Sequence, residues 1–363
     1  MEKATGWLSP VRAGCAILAG IMTKQMPKVE LGKTGETVSR FSLGCMYMGT
    51  ILTRESSYAA LDRFAEAGGD FLDTANCYAW WIGHGEHCGD ESERMIGDWM
   101  RERRNRQRVF LATKFGARMR DHTRCRDAAG NADWGRVNDH FEGASAATVA
   151  RAVDDSLRRL GTDYIDLCYV HIDTRTVPLA ETLEALDRVV RAGKVRHIAC
   201  SNFRAWRIEE ARQLCDRHGW SSFVAVQQQY SYLRPRPGAD FGIDLNVDDE
   251  LSDYLRAHEE VTLVAYSPLL KGIYEDAQKR AAFYNWHLFD TEDSRERLRV
   301  LSEMARELGV SNHQLVYAWL LHQKPAVVPL LAATDLPRLD HNLAALEIEL
   351  SAAQLATLDR AGL

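Results

Sequence analysis

Four side chains able to move or stabilise a proton stand at or just beyond the ends of short apolar runs. Asp73 closes Phe71-Leu72-Asp73, and Tyr78 follows five residues later in a loop that no helical or hairpin pattern claims. Lys114 ends the run Val109 to Lys114, and His171 ends Tyr164 to His171. A phenol with its ordinary pKa near 10 donates poorly to a carbonyl near neutral pH, so it needs a cation to stabilise its anion. Lys114 can supply that charge, Asp73 can hold the lysine, and His171 can donate a hydrogen bond to the acceptor oxygen. Each residue alone is equally compatible with a helix cap, a packed loop tyrosine, a solvated lysine or a satisfied strand-end histidine. The combination is what points to a site.

The elements that must position these groups alternate along the chain. Eight strand candidates are Phe41 to Cys45, Asp70 to Asp73, Val109 to Lys114, Tyr164 to His171, Val195 to Ser201, Phe223 to Tyr230, Thr262 to Ser267 and Val327 to Leu331. Helix-period segments separate them: 55–67, 91–103, 146–160, 179–192, 206–218, 248–258, and the pair 295–308 and 312–322. In one of these, Thr182, Leu183, Leu186, Val189 and Val190 recur at spacings of three and four, as a helix covering a sheet requires. Several strands are continuous apolar runs, which suits sheets buried on both faces. Eight such units predict an α/β protein with a (β/α)8 TIM barrel, preceded by a hairpin around the glycine-bearing turn of 31–38 and carrying long loops at one rim. In that fold chemistry belongs at the C-terminal ends of the strands, where Asp73, Lys114, His171, Ser201, Asn202, Gln227 and Tyr266 all fall.

Composition narrows the function classes. The chain has 363 residues, 46% of them hydrophobic, and a net charge of −6, so it can bury a large core and offers no basic field to nucleic acid or an anionic bilayer. No stretch reaches the roughly 18 apolar residues of a membrane span. Eight scattered cysteines without a C-x-x-C pair read as reduced thiols and a cytoplasmic location. Residues 1–28 read as a poorly ordered extension before a single domain over 29–363. Their apolar run, Ala13 to Met22, is too short and too poorly flanked for a signal peptide. His84, His87 and Cys88 lack a second ligand cluster at zinc-site spacing, so no metal is expected.

The four residues, each in its own motif and in this order, resemble the catalytic tetrad of the aldo-keto reductases, and the similarity runs from about Val29 to Leu358. The resemblance implies a NADPH-dependent oxidoreductase that reduces an aldehyde or ketone to the alcohol. Tyr78 would be the acid/base, Lys114 and Asp73 would tune it, and His171 would position the carbonyl. It also implies that Ser201, Asn202 and Gln227 hold the nicotinamide carboxamide and that Tyr266 stacks on its ring. Two amides and a hydroxyl suit a group that both donates and accepts. Ser267, Leu269, Lys271 and Gly272 would contribute to the phosphate-binding loop, Arg338 would meet a 2′-phosphate, and Asn342 would reach adenine. The chain departs from the family pattern at Ala332, Thr334 and His341, which weakens the preference for NADPH over NADH without reversing it. No G-x-G-x-x-G opens a helix, which disfavours a Rossmann dehydrogenase.

Loops beyond the strands carry Trp80, Trp81, Arg118 and Asp173 as substrate candidates. Aromatic walls with many hydrogen-bonding groups suit a hydroxylated carbonyl compound such as a keto-sugar, a cyclitol or a polar aldehyde. The resemblance leaves a second reading open, a non-catalytic, cofactor-sensing regulatory subunit of the same fold, like the relatives that accompany potassium channels. Both readings keep the cofactor residues. Oligomeric state is not legible in the chain.

Overall fold

A computed structural model describes residues 25–332 and 334–362. Most of the expected extension, residues 1–24, lies outside the described residues. Among the described residues ten strands form: β1 (Lys28–Glu30), β2 (Thr37–Ser39), β3 (Ser42–Gly44), β4 (Phe71–Asp73), β5 (Phe110–Phe115), β6 (Ile165–Val170), β7 (Val195–Ser201), β8 (Phe223–Gln229), β9 (Thr262–Tyr266) and β10 (Val327–Leu331). β1 and β2 pair antiparallel with Val29 opposite Val38. The other eight are parallel and close into a barrel in the order β10-β3-β4-β5-β6-β7-β8-β9. Every barrel strand falls within a residue or two of the stretch its apolar pattern marks.

Alternation along each strand sorts the residues into two environments. Outward side chains meet the helices. Thr113, on the outer face of β5, donates to Glu93 Oε1 at 2.6 Å, and Arg159 holds the other oxygen of that buried carboxylate at 2.5 Å. The strand is thereby tied to helices Glu91–Arg103 and Ala146–Leu160. Gly97 lets those two helices close up, because a Cβ there would stand 2.6 Å from the Arg159 carbonyl oxygen. Inward side chains form a separate cluster that includes Phe71, Ala112, Leu167, Tyr169, Ala199, Ala225, Val264 and Val328. This is the filled interior of the barrel.

The hairpin closes the barrel's N-terminal end. Leu31 and Val38 are fully buried and join the interior cluster. Gly32, at φ +56°, makes the close approach possible, since a Cβ would sit 2.4 Å from the Glu260 carbonyl oxygen. The Gly32 amide donates to Thr262 Oγ1 at 2.6 Å, anchoring the turn to the start of β9.

Helix termini follow local chemistry. Ser145 caps Ala146–Leu160 by accepting from the Thr148 amide, and Gly161 ends that helix at φ +61°. The helix Leu179–Arg191 buries Thr182, Leu183, Leu186 and Val189, the face its spacing marks. Helices at Ala277–Ala282, Trp286–Phe289 and Ala352–Arg360 are additions to the sequence reading. The last has a legible signal in the Ser351/Gln354 capping box. Among the described residues no helix is long and apolar enough to cross a membrane.

If the hairpin is the barrel's lower plug, Leu31→Ala should cost ~2–5 kcal/mol in urea unfolding while leaving ligand affinity at the opposite rim unchanged. A loss below about 0.5 kcal/mol would mean that the plug is not part of the core.

Candidate active site

The inward rows of the barrel change character at one level. On β4 the interior residue Phe71 is followed two positions later by Asp73; on β5, Ala112 is followed by Lys114; on β6, Tyr169 by His171 just past the strand end. Ala199 leads to Ser201, Ala225 to Gln227 and Val264 to Tyr266 in the same way. Because side chains alternate with a period of two, each of these polar groups lies on the inward face, one layer above the apolar fill. Register sets the pairings: Asp73 lies beside Ala112, so Lys114 rises one inward step above the carboxylate.

Tyr78 reaches the same point from a loop. After β4 the chain stays bonded to β5 through Thr74 N to Ala112 O (2.9 Å) and Asn76 N to Lys114 O (3.0 Å). Arg118 then clamps the Asn76 carbonyl, and Ala79 turns the backbone at φ +63°. The Lys114 ammonium donates to the Tyr78 hydroxyl at 2.7 Å, to the Thr74 carbonyl at 2.9 Å and to Asp73 Oδ1 in a short ion pair. Gln227 Nε2 donates to the other Asp73 oxygen at 2.8 Å. Lys114 and Asp73 are both completely buried. The Tyr78 and His171 rings meet edge to face at 5.8 Å between centroids. Both keep one side open to solvent and are otherwise enclosed by protein.

Electrostatics corrects one expectation. The Tyr78 phenol is raised well above 10 rather than tuned down, chiefly by burial and then by the negative charge of Asp73. His171 is pushed well below 6.5, by burial first and by Lys114 second, so its ring is neutral. The arrangement is a protonated phenol and an uncharged imidazole around a buried ion pair. It can donate two hydrogen bonds to one oxygen and release one proton as charge develops there.

The residues assigned to the nicotinamide surround this centre. Asn202, at φ +59°, donates to the His171 carbonyl (3.2 Å) and to Ser201 Oγ (3.2 Å), while its own oxygen accepts from the Tyr266 hydroxyl (2.9 Å) and the Leu245 amide (3.0 Å). Ser201 donates to the Gln227 carbonyl at 2.8 Å. These side chains brace one another and the proton-transfer groups, a link that the sequence did not show. Beyond Tyr266, the backbone is left-handed at Ser267, Leu270, Lys271 and Gly272. Three non-glycine residues in the left-handed region within one short loop are the local backbone conformation from which anion-binding nests are built. Donor set and loop shape both fit a nicotinamide dinucleotide.

At β10 the Leu336–Leu343 helix is capped by Asp335. Arg338 is exposed and paired with Asp335 at 3.3 Å, and it also donates to Thr334 Oγ1 at 3.2 Å. Asn342 is buried, with its amide 3.5 Å from the Ala332 carbonyl. Of the substrate candidates, Trp80 is buried and Trp81 half-buried, and Trp134 leans on both at 5.7 and 5.8 Å. Asp173 is engaged by Arg175 (3.1 Å) and Arg207 (3.3 Å). Arg118 is occupied with Asn76. Cys88, Asp90 and Glu91 cluster, but Glu91 accepts the Cys88 and Gly89 amides and Asp90 pairs with Arg94. The segment Leu245–Val247, bonded to Gln229 through Leu245 O and Val247 N, carried no sequence signal beyond a long loop.

Among the described residues, six large apolar side chains are conspicuously exposed: Ile51, Trp134, Trp206, Ile243, Tyr284 and Leu336. Each follows a different barrel strand, in the connection or the first turn of the helix that leads away from it.

The barrel with its Asp-Tyr-Lys-His cluster above the core takes its class from comparison with known proteins, which places it among the reductases. The model of the aldo/keto reductase family matches residues 40–362, and the chain belongs to that family. It is similar to norsolorinic acid reductase stcV of Emericella nidulans, with 30% identity over 87% of this chain and 76% of the relative. It is also similar to the uncharacterized oxidoreductase YrpG of Bacillus subtilis (29%; 88% and 91%) and to aldo-keto reductase ausK of Aspergillus calidoustus (27%; 93% and 83%). The chain is thus an oxidoreductase of a family that uses nicotinamide cofactors.

The neutral state of His171 is directly testable. In a proton NMR titration its ring resonances should not move as the pH falls through 6.5. A midpoint near 6.5 would contradict the burial argument.

Proposed function

We propose that the protein is a NADPH-dependent carbonyl reductase in which Tyr78 gives the proton. The observation that carries this reading is the hydrogen-bonded chain Asp73–Lys114–Tyr78, with His171 against the phenol ring. When bound, the dihydronicotinamide supplies a hydride to the carbonyl carbon. Tyr78 and His171 each donate a hydrogen bond to the carbonyl oxygen, which polarises it and fixes which face is attacked. As negative charge builds on that oxygen, the Tyr78 proton crosses to it, because an alkoxide is far more basic than even a raised phenol. Lys114 stabilises the phenolate left behind, and Asp73, held by Gln227, keeps the lysine in place. Ser201, Asn202 and Gln227 would hold the carboxamide, Tyr266 would stack on the ring, and the 267–272 loop would receive the phosphates.

NADPH is preferred over NADH through Arg338, whose exchange of Asp335 for a 2′-phosphate would be a charge-assisted hydrogen bond. The substrate reading shifts with the exposed rim. The exposed apolar side chains that follow six of the barrel strands, and relatives named for norsolorinic acid reduction, favour a carbonyl substrate with apolar surface of its own. A small keto-sugar, cyclitol or polar aldehyde is the lesser alternative. The seven described cysteines are all unpaired, which suits the cytoplasm.

Tyr78→Phe should lower kcat for carbonyl reduction by about 10²- to 10⁴-fold while NADPH affinity, read by fluorescence, changes little. Retained turnover would remove Tyr78 from its role. Because the phenol stays protonated above pH 10 and the imidazole stays neutral below 6.5, wild-type kcat for reduction should be flat between those values. A titration midpoint inside that window would contradict the assigned protonation states.

A further inference from the structure

His171 can serve as a hydrogen-bond donor to a carbonyl only if the correct ring nitrogen carries its single proton. A neutral imidazole has one N–H and one bare nitrogen, and the partner of the inner nitrogen decides which is which. The inner nitrogen here, Nδ1, lies 3.5 Å from the sulfur of Cys77. Nε2 makes no hydrogen bond to any described residue, which leaves it for a ligand. No backbone carbonyl or carboxylate takes the place of the sulfur at Nδ1 among the described residues.

We infer that Cys77 is a positioning residue: its thiol donates to Nδ1 of His171 and so keeps the ring proton on Nε2, the nitrogen left to meet the substrate oxygen. The direction of that contact follows from the chemistry of the two partners. Burial pushes the thiol up to about 12, so the sulfur keeps its proton at any physiological pH. A thiol is a weak donor and its sulfur a weaker acceptor, whereas a bare imidazole nitrogen accepts well. The opposite arrangement, Nδ1–H toward sulfur, would aim a lone pair at the carbonyl oxygen, which is itself only an acceptor. Cys77 is 5% exposed and sits one residue before Tyr78, so the loop that delivers the acid also sets the second donor. The same pair also explains how a half-open ring can hold one orientation: the edge-to-face contact with Tyr78 restrains its plane, and the sulfur restrains which edge faces inward.

This inference rests on the proposed role of His171, but its primary test does not need turnover. Protein labelled with 15N-histidine should be recorded in two-dimensional 1H–15N spectra, with His171 assigned among the twelve histidines by its loss in His171→Gln. The expected pattern is protonated Nε2 and bare Nδ1. The reverse pattern overturns the proposal. In Cys77→Ala the two tautomers should mix and kcat should fall about fivefold, the worth of one modest hydrogen bond, with KM for NADPH unchanged. Cys77→Ser keeps a donor and should recover most of both readouts. A purely structural role would order the variants differently, since a buried hydroxyl is harder to accommodate than a methyl group. Alanine retaining the wild-type tautomer, or serine failing as alanine does, also overturns the proposal. Full activity in His171→Gln would instead defeat the role assigned to the histidine and leave the tautomer measurement standing.

Discussion

The site depends on an ion pair with no access to water. Asp73 and Lys114 are fully buried above the apolar fill of the barrel, and removing two charges from water costs several kcal/mol per ion before anything is returned. That cost is met only when every remaining valence is used. Asp73 takes Lys114 on one oxygen and Gln227 on the other, and Lys114 adds the Thr74 carbonyl and the Tyr78 hydroxyl. The phenol is therefore part of what makes the buried lysine tolerable. Stability and function meet in one hydrogen-bonded group, where removing a single partner leaves an uncompensated charge worth about 3–5 kcal/mol.

The rest of the fold can be seen as support for that layer. Apolar side chains from seven strands and two hairpin residues fill the barrel below it, so the polar layer has a rigid floor. Hairpin β1–β2 closes the far end, and the outward faces are tied to helices by groups such as Glu93. Loops at the other rim are then free to vary. They carry the left-handed 267–272 turn and the exposed apolar side chains that follow six of the barrel strands.

Most of the architecture was legible because alternation and helical period are local signals. Eight apolar runs found eight barrel strands, and polar residues at or near the ends of six of them marked the rim. What was not legible depended on contacts across the barrel. Lys114 looked as though it should acidify Tyr78, yet burial and then the charge of Asp73 raise the phenol, and a linear pattern does not show which residues will enclose it. Asp173 and Arg118 have the chemistry of substrate contacts, and their bonds to Arg207 and to the Asn76 carbonyl join segments that the linear order keeps apart. Gln227 and Asn202 were assigned to a ligand on resemblance, while their bonds to Asp73 and to the His171 carbonyl come from strands far apart in sequence. The Cys77 contact joins residues 94 apart and had no sequence signature at all.

The central claim is that this layer transfers a proton to a carbonyl as hydride arrives. The most direct measurement is loss of reduced nicotinamide absorbance when the purified protein, first saturated with NADPH as judged by fluorescence, is given aldehydes, ring-bearing ketones and keto-sugars. Steady consumption that depends on the carbonyl is the result expected. Tight NADPH binding with no consumption for any carbonyl would contradict the account and favour a cofactor sensor built on the same barrel.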